Sequence, residues 1–222
     1  MSAAVTRSRS GTRREEQAAT TRRAVVDAAR RLFAERGYAG TGTTAIVTVA
    51  GVGTRGALYH HFEDKEALFA EVFAEVTREL GEEVERRADL HGIDPLEALR
   101  RRVVTFLECV TDHPEVRRLL LDGPVVLGWK RFRELESAHG LRSFEAFLHD
   151  AAALGIVDQP PRALATLLLA VVDEAAMTVA ASERPDAACA DMSLACSRLL
   201  DGLRIDDRPG GVEAPAQERG RP

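Results

Sequence analysis

Two helix-sized segments lie between Thr41 and Lys65, and only Gly51-Val52-Gly53 separates them (TGTTAIVTVAGVGTRGALYHHFEDK). Glycine takes the left-handed conformation after a helix end without steric penalty, so Gly51 predicts a sharp stop. Ala45, Ile46, Val49 and Ala50 give the first segment a short apolar face. Thr54 is placed to N-cap the second segment, Arg55 to Phe62. A helix that short is unstable alone, and Leu58 and Phe62 are the residues that anchor it inward. The opposite face carries Thr54, Arg55, Ala57, Tyr59 and His60. A helix held from behind, with its N-terminal end outward, suits a DNA major groove.

The surrounding chain predicts an all-α fold, because alternating β-branched runs are absent and Ala, Leu, Arg and Glu dominate. Val25, Ala28, Ala29, Leu32 and Phe33 mark one face of a helix over about 16–36, which Gly37 ends. Leu68, Phe69, Val72, Phe73, Val76 and Leu80 mark a second long helix, from Glu63-Asp64 to about 88. Beyond Gly92, prolines and glycines divide the chain into further helices over about 95–111, 114–122, 124–137, 141–153, 161–182 and 186–203. The 222 residues are 45% hydrophobic, enough for a sizeable core. Residues 1–14 read as a mobile basic arm and 205–222 as a disordered tail.

The run Ala50-Gly51-Val52, then Arg55-Gly56-Ala57-Leu58-Tyr59-His60-His61-Phe62, then Lys65-Glu66-Ala67-Leu68, closely resembles the DNA-binding domain of TetR-family repressors. The resemblance covers about residues 20–75. It departs at two points. Gly53 is one residue more than the family's turn usually holds, and Thr44 and Ala45 stand where an acidic residue is common. The resemblance implies a three-helix helix-turn-helix domain over 15–65 and a helical ligand-binding and dimerisation domain over 66–204. It implies a sequence-specific transcriptional regulator, a repressor released from a palindromic double-stranded DNA operator by a small-molecule effector. Arg22, Thr43, Thr44, Thr54, Arg55, Gly56, Ala57, Tyr59, His60 and Lys65 are the expected DNA contacts. Arg55 is the residue for a bidentate guanine contact or a phosphate, and Lys65 for a phosphate, which would explain a lysine against the helix dipole. The alternative is a helical ligand-binding protein without operator binding, should Gly53 spoil the turn.

The net charge of −5 does not oppose this reading, because the charge is unevenly placed. Residues 1–62 hold ten Arg and four acids, whereas 63–222 hold twenty Lys or Arg and thirty-one acids. The basic end can attract phosphate and the acidic remainder limits indiscriminate binding. Cys109, Cys189 and Cys196 have no metal-ligand spacing and read as buried, reduced thiols of a cytoplasmic protein. His60 and His61 lack a metal partner spacing, and neither Ser nor Cys has a base at a recognisable distance, so neither an enzyme nor a cofactor is expected. No leader or spanning segment is indicated, and no membrane partner is expected.

For the effector, Phe106, Cys109, Trp129, Phe132, Phe144, Phe147, Asp173 and Met177 fall on the helices that the family uses around its cavity. An acid such as Asp173 facing that cavity would favour a cationic or hydrogen-bonding ligand. The segment 161–182 is apolar around most of its circumference, so it must be covered on more than one side. Leu164, Leu168, Val171 and Val172, with Met192 and Leu199 from 186–203, are the expected homodimer interface, a four-helix bundle across a two-fold axis.

Overall fold

The computed structural model describes residues 3–205, with side chains described except at 3–14 and 136–139. Eight helices follow one another: α1 (Ala3–Arg36), α2 (Thr43–Ala50), α3 (Arg55–His61), α4 (Lys65–Arg87), α5 (Pro95–Asp112), α6 (Pro114–Ala153), α7 (Pro161–Ala181) and α8 (Pro185–Asp201). No strand occurs among the described residues, so the fold is all-α. Side-chain caps close two helix starts. Asp64 accepts the Ala67 N–H at 2.7 Å, and Asp94, followed by Pro95, accepts from Leu96 and Glu97.

The first helix begins earlier than the sequence suggests. α1 starts at Ala3, inside the stretch read as an arm. That stretch contains no proline, and a helix already nucleated against a core extends at little cost per residue. Of the expected tail at 205–222, Ile205 donates its N–H to Ile156 O at 2.9 Å, and 206–222 lie outside the described residues.

A second correction concerns α6, read from sequence as three helices. Pro124 lies inside the helix, and the break comes at Gly128 (φ 71°, ψ 153°), a backbone open essentially to glycine. Proline removes one N–H but its fixed φ is helical, so the helix can run through it. Gly123 and Gly140 serve packing rather than turns. A Cβ on Gly123 would meet the Phe132 ring at 2.6 Å, and one on Gly140 would meet Leu169 Cδ1 at 3.2 Å.

One hydrophobic core runs from α1–α3 along α4 into α5–α8. An aromatic line follows α4: Phe33 to Phe69 at 5.3 Å, Phe69 to Phe73 at 6.3 Å, and Phe73 to Phe132 on α6 at 5.4 Å between centroids. By length and composition α7 could cross a membrane, yet half of its apolar window is buried against the other helices. Leu164, Leu168, Val172 and Val179 face inward there.

Candidate nucleic-acid interface and ligand cavity

α2 ends in a Schellman arrangement. Gly51 is left-handed (φ 69°), its N–H bonds to Thr48 O at 3.2 Å, and Val52 N–H bonds to Val47 O at 3.4 Å. The extra residue is absorbed immediately afterwards. Thr54 N–H bonds to Val52 O at 3.0 Å, which closes a three-residue turn about Gly53 (φ 80°). Thr54 occupies the N-cap position of α3 but, contrary to expectation, its side chain makes no cap bond. On α2 the inward residues are Ile46 and Val47, whereas Val49, expected to face the core, is 39% exposed.

α3 is anchored as predicted by Leu58 and Phe62, both buried. Thr44, Thr54, Arg55, Gly56, Tyr59 and His60 are exposed, and Thr43 and Ala57 are half-buried. These eight residues lie on α2, on α3 and at the turn between them. Arg55 makes no ion pair among the described residues, so its guanidinium is available. His61 is turned toward the domain, and burial, the neighbouring His60 and Arg22 all lower its pKa. Arg22 is less free than expected: it pairs with Glu71 at 2.8 Å and lies over the Phe62 ring at 5.0 Å.

Lys65 corrects a more specific expectation. Its Nζ donates to Tyr38 O and Thr41 O, both at 3.0 Å, and sits 3.8 Å from the Tyr38 ring centroid. Desolvation lowers its pKa. Two carbonyls and a π-face explain a lysine at a helix start without any phosphate. The residue fastens the α1–α2 loop to α4. Thr41 completes the fastening from a buried hydroxyl that donates to Leu32 O and Gly37 O.

A clamp that no local sequence signal announces ties this end to α6. Asp122 accepts the Tyr38 N–H at 2.7 Å. Arg30 of α1 reaches Glu79 of α4 at 2.7 Å and Glu115 of α6 with Nε at 3.1 Å. The partners are 49 to 85 residues apart in sequence, so only the fold brings them together.

The same arm of α6 contributes Leu120 to a cavity of about 110 Å³. α4 adds Thr77, Leu80, Gly81 and Val84 to its wall, and α5 adds Arg102, Val103 and Phe106. Gly140 and Phe144 of α6 and Leu169, Val172 and Asp173 of α7 complete it. Gly81, an isolated glycine within a helical pattern, was a sequence signal for a special position. Of the expected ligand residues, Phe106, Phe144 and Asp173 line this cavity and five do not. Trp129 is 58% exposed at the Gly128 break, stacked on Phe132, which is itself sealed in the core. Phe147 lies 5.9 Å under the Arg102 guanidinium. Cys109 is buried in the core, which pushes its thiol up to about 11. Met177 packs on the core away from the cavity wall. Periodicity places these side chains inward but cannot distinguish core from cavity wall.

Asp173 accepts from Arg133 Nη1 at 3.1 Å. Burial raises its pKa to about 6, against the opposing pull of Arg133. On the outer surface of α7 and α8, the exposed apolar side chains are Leu167 (66%), Val171 (36%), Leu194 (60%) and Leu199 (53%). Leu164, Leu168 and Val172, expected at an interface, are buried within this chain's own core, and Met192 is half-buried. Of the six expected interface residues, only Val171 and Leu199 are exposed on this chain.

Comparison with known proteins follows the same division. Residues 25–72 match the family described as bacterial regulatory proteins, tetR family, and residues 96–203 match the tetracyclin repressor-like C-terminal domain. A crystal structure of a TetR-family transcriptional regulator from Pectobacterium atrosepticum is 32% identical, with TM-score 0.73 over 86% of this chain and 97% of that one. The HTH-type transcriptional regulator AcrR of Shigella flexneri is 40% identical over 109 residues, 49% of each chain. The HTH-type transcriptional repressor BepR of Brucella suis is 38% identical over 96 residues, 43% of this chain and 46% of that one. The matched part spans about half the length of these curated relatives.

Proposed function

Because this chain belongs to the TetR family of bacterial transcriptional regulators, we propose that it is an operator-binding repressor released by a small molecule held in the α4–α7 cavity. The observation that carries this reading is the clamp. Glu115 and Asp122 hold α1 and the loop behind α2 from the same arm of α6 that supplies Leu120 to the cavity. α4 is at once a wall of that cavity and the helix that follows α3. An occupant that shifts either wall therefore moves the platform of α3.

Residues 15–65 act as the DNA-binding unit and 66–204 as the regulatory and dimerisation unit. Arg55, Tyr59 and His60 read base edges or phosphates, with Thr43, Thr44, Thr54, Gly56 and Ala57 against the backbone. The working form is a homodimer closed by α7 and α8, which presents two α3 helices about 34–36 Å apart, or a multiple of that. The ligand must favour the spacing that does not fit DNA, since equal affinity for both states shifts nothing. The protein works in the cytoplasm, where its operator lies, and no chemical step is assigned to it.

Selection of bound sequences from random DNA tests the reading. The expected result is an enriched palindrome whose binding weakens steeply with salt. No enrichment by a folded dimer would leave a ligand-binding protein that does not read DNA.

A further inference from the structure

Asp173 is the one charged residue among the buried polar side chains of the described chain. It lines the cavity, and its only side-chain partner among the described residues is Arg133, through Oδ2 alone. Oδ1 has no hydrogen bond there. Among the described residues this buried carboxylate therefore has one monodentate contact, and a buried acceptor short of donors is costly. The other cavity cation does not supply them: Arg102 is committed to Glu85 and to the face of Phe147. Around Asp173 the wall is hydrocarbon, from Leu80, Val84, Val103, Phe106, Phe144 and Leu169. The free volume of about 110 Å³ is on the scale of apolar cavities that take benzene.

We propose that the cavity receives a small amphiphilic amine, with a one-ring or branched aliphatic body among these walls and an ammonium on Asp173 in place of Arg133. This rests on the reading of the cavity as the effector site. The exchange is feasible because the two partners are buried unequally. The Asp173 side chain is only 11% exposed, whereas that of Arg133 is 36% exposed and can turn further into water. An anion would gain nothing from Asp173, and could take Arg133 only by leaving that carboxylate unpaired beside it. Displacement of Arg133 undoes a tie between α7 and the arm of α6 that follows Gly128, so occupancy changes how α6 is held. Arg133 also lies 5.4 Å over the ring of Trp129, the only tryptophan, so the exchange reports itself in fluorescence.

The test titrates three probes of one ring, benzylamine, benzyl alcohol and benzoate, into the full chain at neutral pH. Calorimetry and Trp129 fluorescence are the readouts, with a parallel DNA shift on the selected operator. The expected order is benzylamine over benzyl alcohol by about tenfold or more, as for hydrogen bonds to charged groups, with benzoate weakest. Asp173→Asn should bring the amine down to the level of the alcohol. Arg133→Gln should raise amine affinity several-fold, a gain that damage to the fold would not produce, and this variant decides if Asp173→Asn does not fold. The proposal is overturned if benzoate binds as well as the amine, if no probe binds at millimolar concentration, or if Arg133→Gln leaves amine affinity unchanged or lower. Amine binding as expected with no effect on DNA would instead remove the effector reading and leave the ligand class standing. Release of DNA by the alcohol or benzoate, with the amine inert, would do the reverse.

Discussion

Asp173→Asn separates burial from ion pairing through pH. The carboxyl titrates near 3.8 when free and at about 6 in the folded chain, where burial outweighs Arg133. Between those values the folded state holds a proton that the unfolded state has lost. Stability from this group is therefore full below pH 3.8 and falls as pH rises to about 6. Two units of displacement correspond to roughly 3 kcal/mol. Asparagine has no such titration. The stability of Asp173→Asn minus that of wild type should thus rise by about 3 kcal/mol from acid to neutral pH, whatever constant difference the substitution adds. The assay is urea unfolding of both proteins across that range, at one protomer concentration because assembly is linked to stability. The cations that face the carboxyl are the guanidinium groups of Arg133 and Arg102. A flat difference, or one that falls toward neutral pH, would mean that Arg133 holds the carboxylate charged and that burial is the smaller effect.

Three further outcomes follow from the geometry. Lys65→Met should destabilise the chain by about 1–3 kcal/mol through two unmatched carbonyls, and operator affinity should fall with the salt slope unchanged; a slope lowered by about one would restore the phosphate contact. Gly53→Ala has room, since nothing lies within 4 Å of an added Cβ, but φ is 80° there, so the strain should cost about 1 kcal/mol in thermal unfolding. Leu167→Glu should shift sedimentation toward monomer while unfolding of the separated chain stays near wild type; Leu168→Glu, being buried, should unfold it, and a dimer that survives Leu167→Glu would rule out this face.

The helix-turn-helix was legible because its signals are local. Gly51, Leu58, Phe62 and the start at Asp64 act within one or two turns of helix, and each does what the sequence predicts. Lys65 was misread because its acceptors, Tyr38 O and Thr41 O, are more than twenty residues away, while the unfavourable dipole was visible nearby. The glycines of α6 were misread for a related reason. Glycine can mean a turn or a close approach, and only the positions of Phe132 and Leu169 decide between them. The resemblance placed Phe106 and Phe144 at the cavity but equally Phe132 and Trp129: an inward direction does not separate filled core, where Phe132 lies, from cavity wall, and the break at Gly128 that leaves Trp129 exposed is not visible in the pattern.

The formal surplus of positive charge in the first 62 residues overstates what DNA can meet. Arg22 is paired with Glu71, Arg23 with Asp27 and Glu75, and Arg30 with Glu79 and Glu115. Four more arginines lie in 1–14, whose side chains are outside those described. Arg31, Arg36 and Arg55 make no such pairs among the described residues. Each neutralised phosphate contributes a near-unit slope to the salt dependence of binding, so a protomer with few free cations has weak affinity at physiological salt. Two protomers held at a fixed spacing double the contacts while orientation is lost only once, and the second engagement becomes intramolecular. On this account the acidic, apolar-faced C-terminal half matters to DNA binding as much as α3 does. The internal pairing of Arg22, Arg23 and Arg30 thus favours the proposed dimer, for which Leu167, Val171, Leu194 and Leu199 are the exposed apolar side chains of α7 and α8.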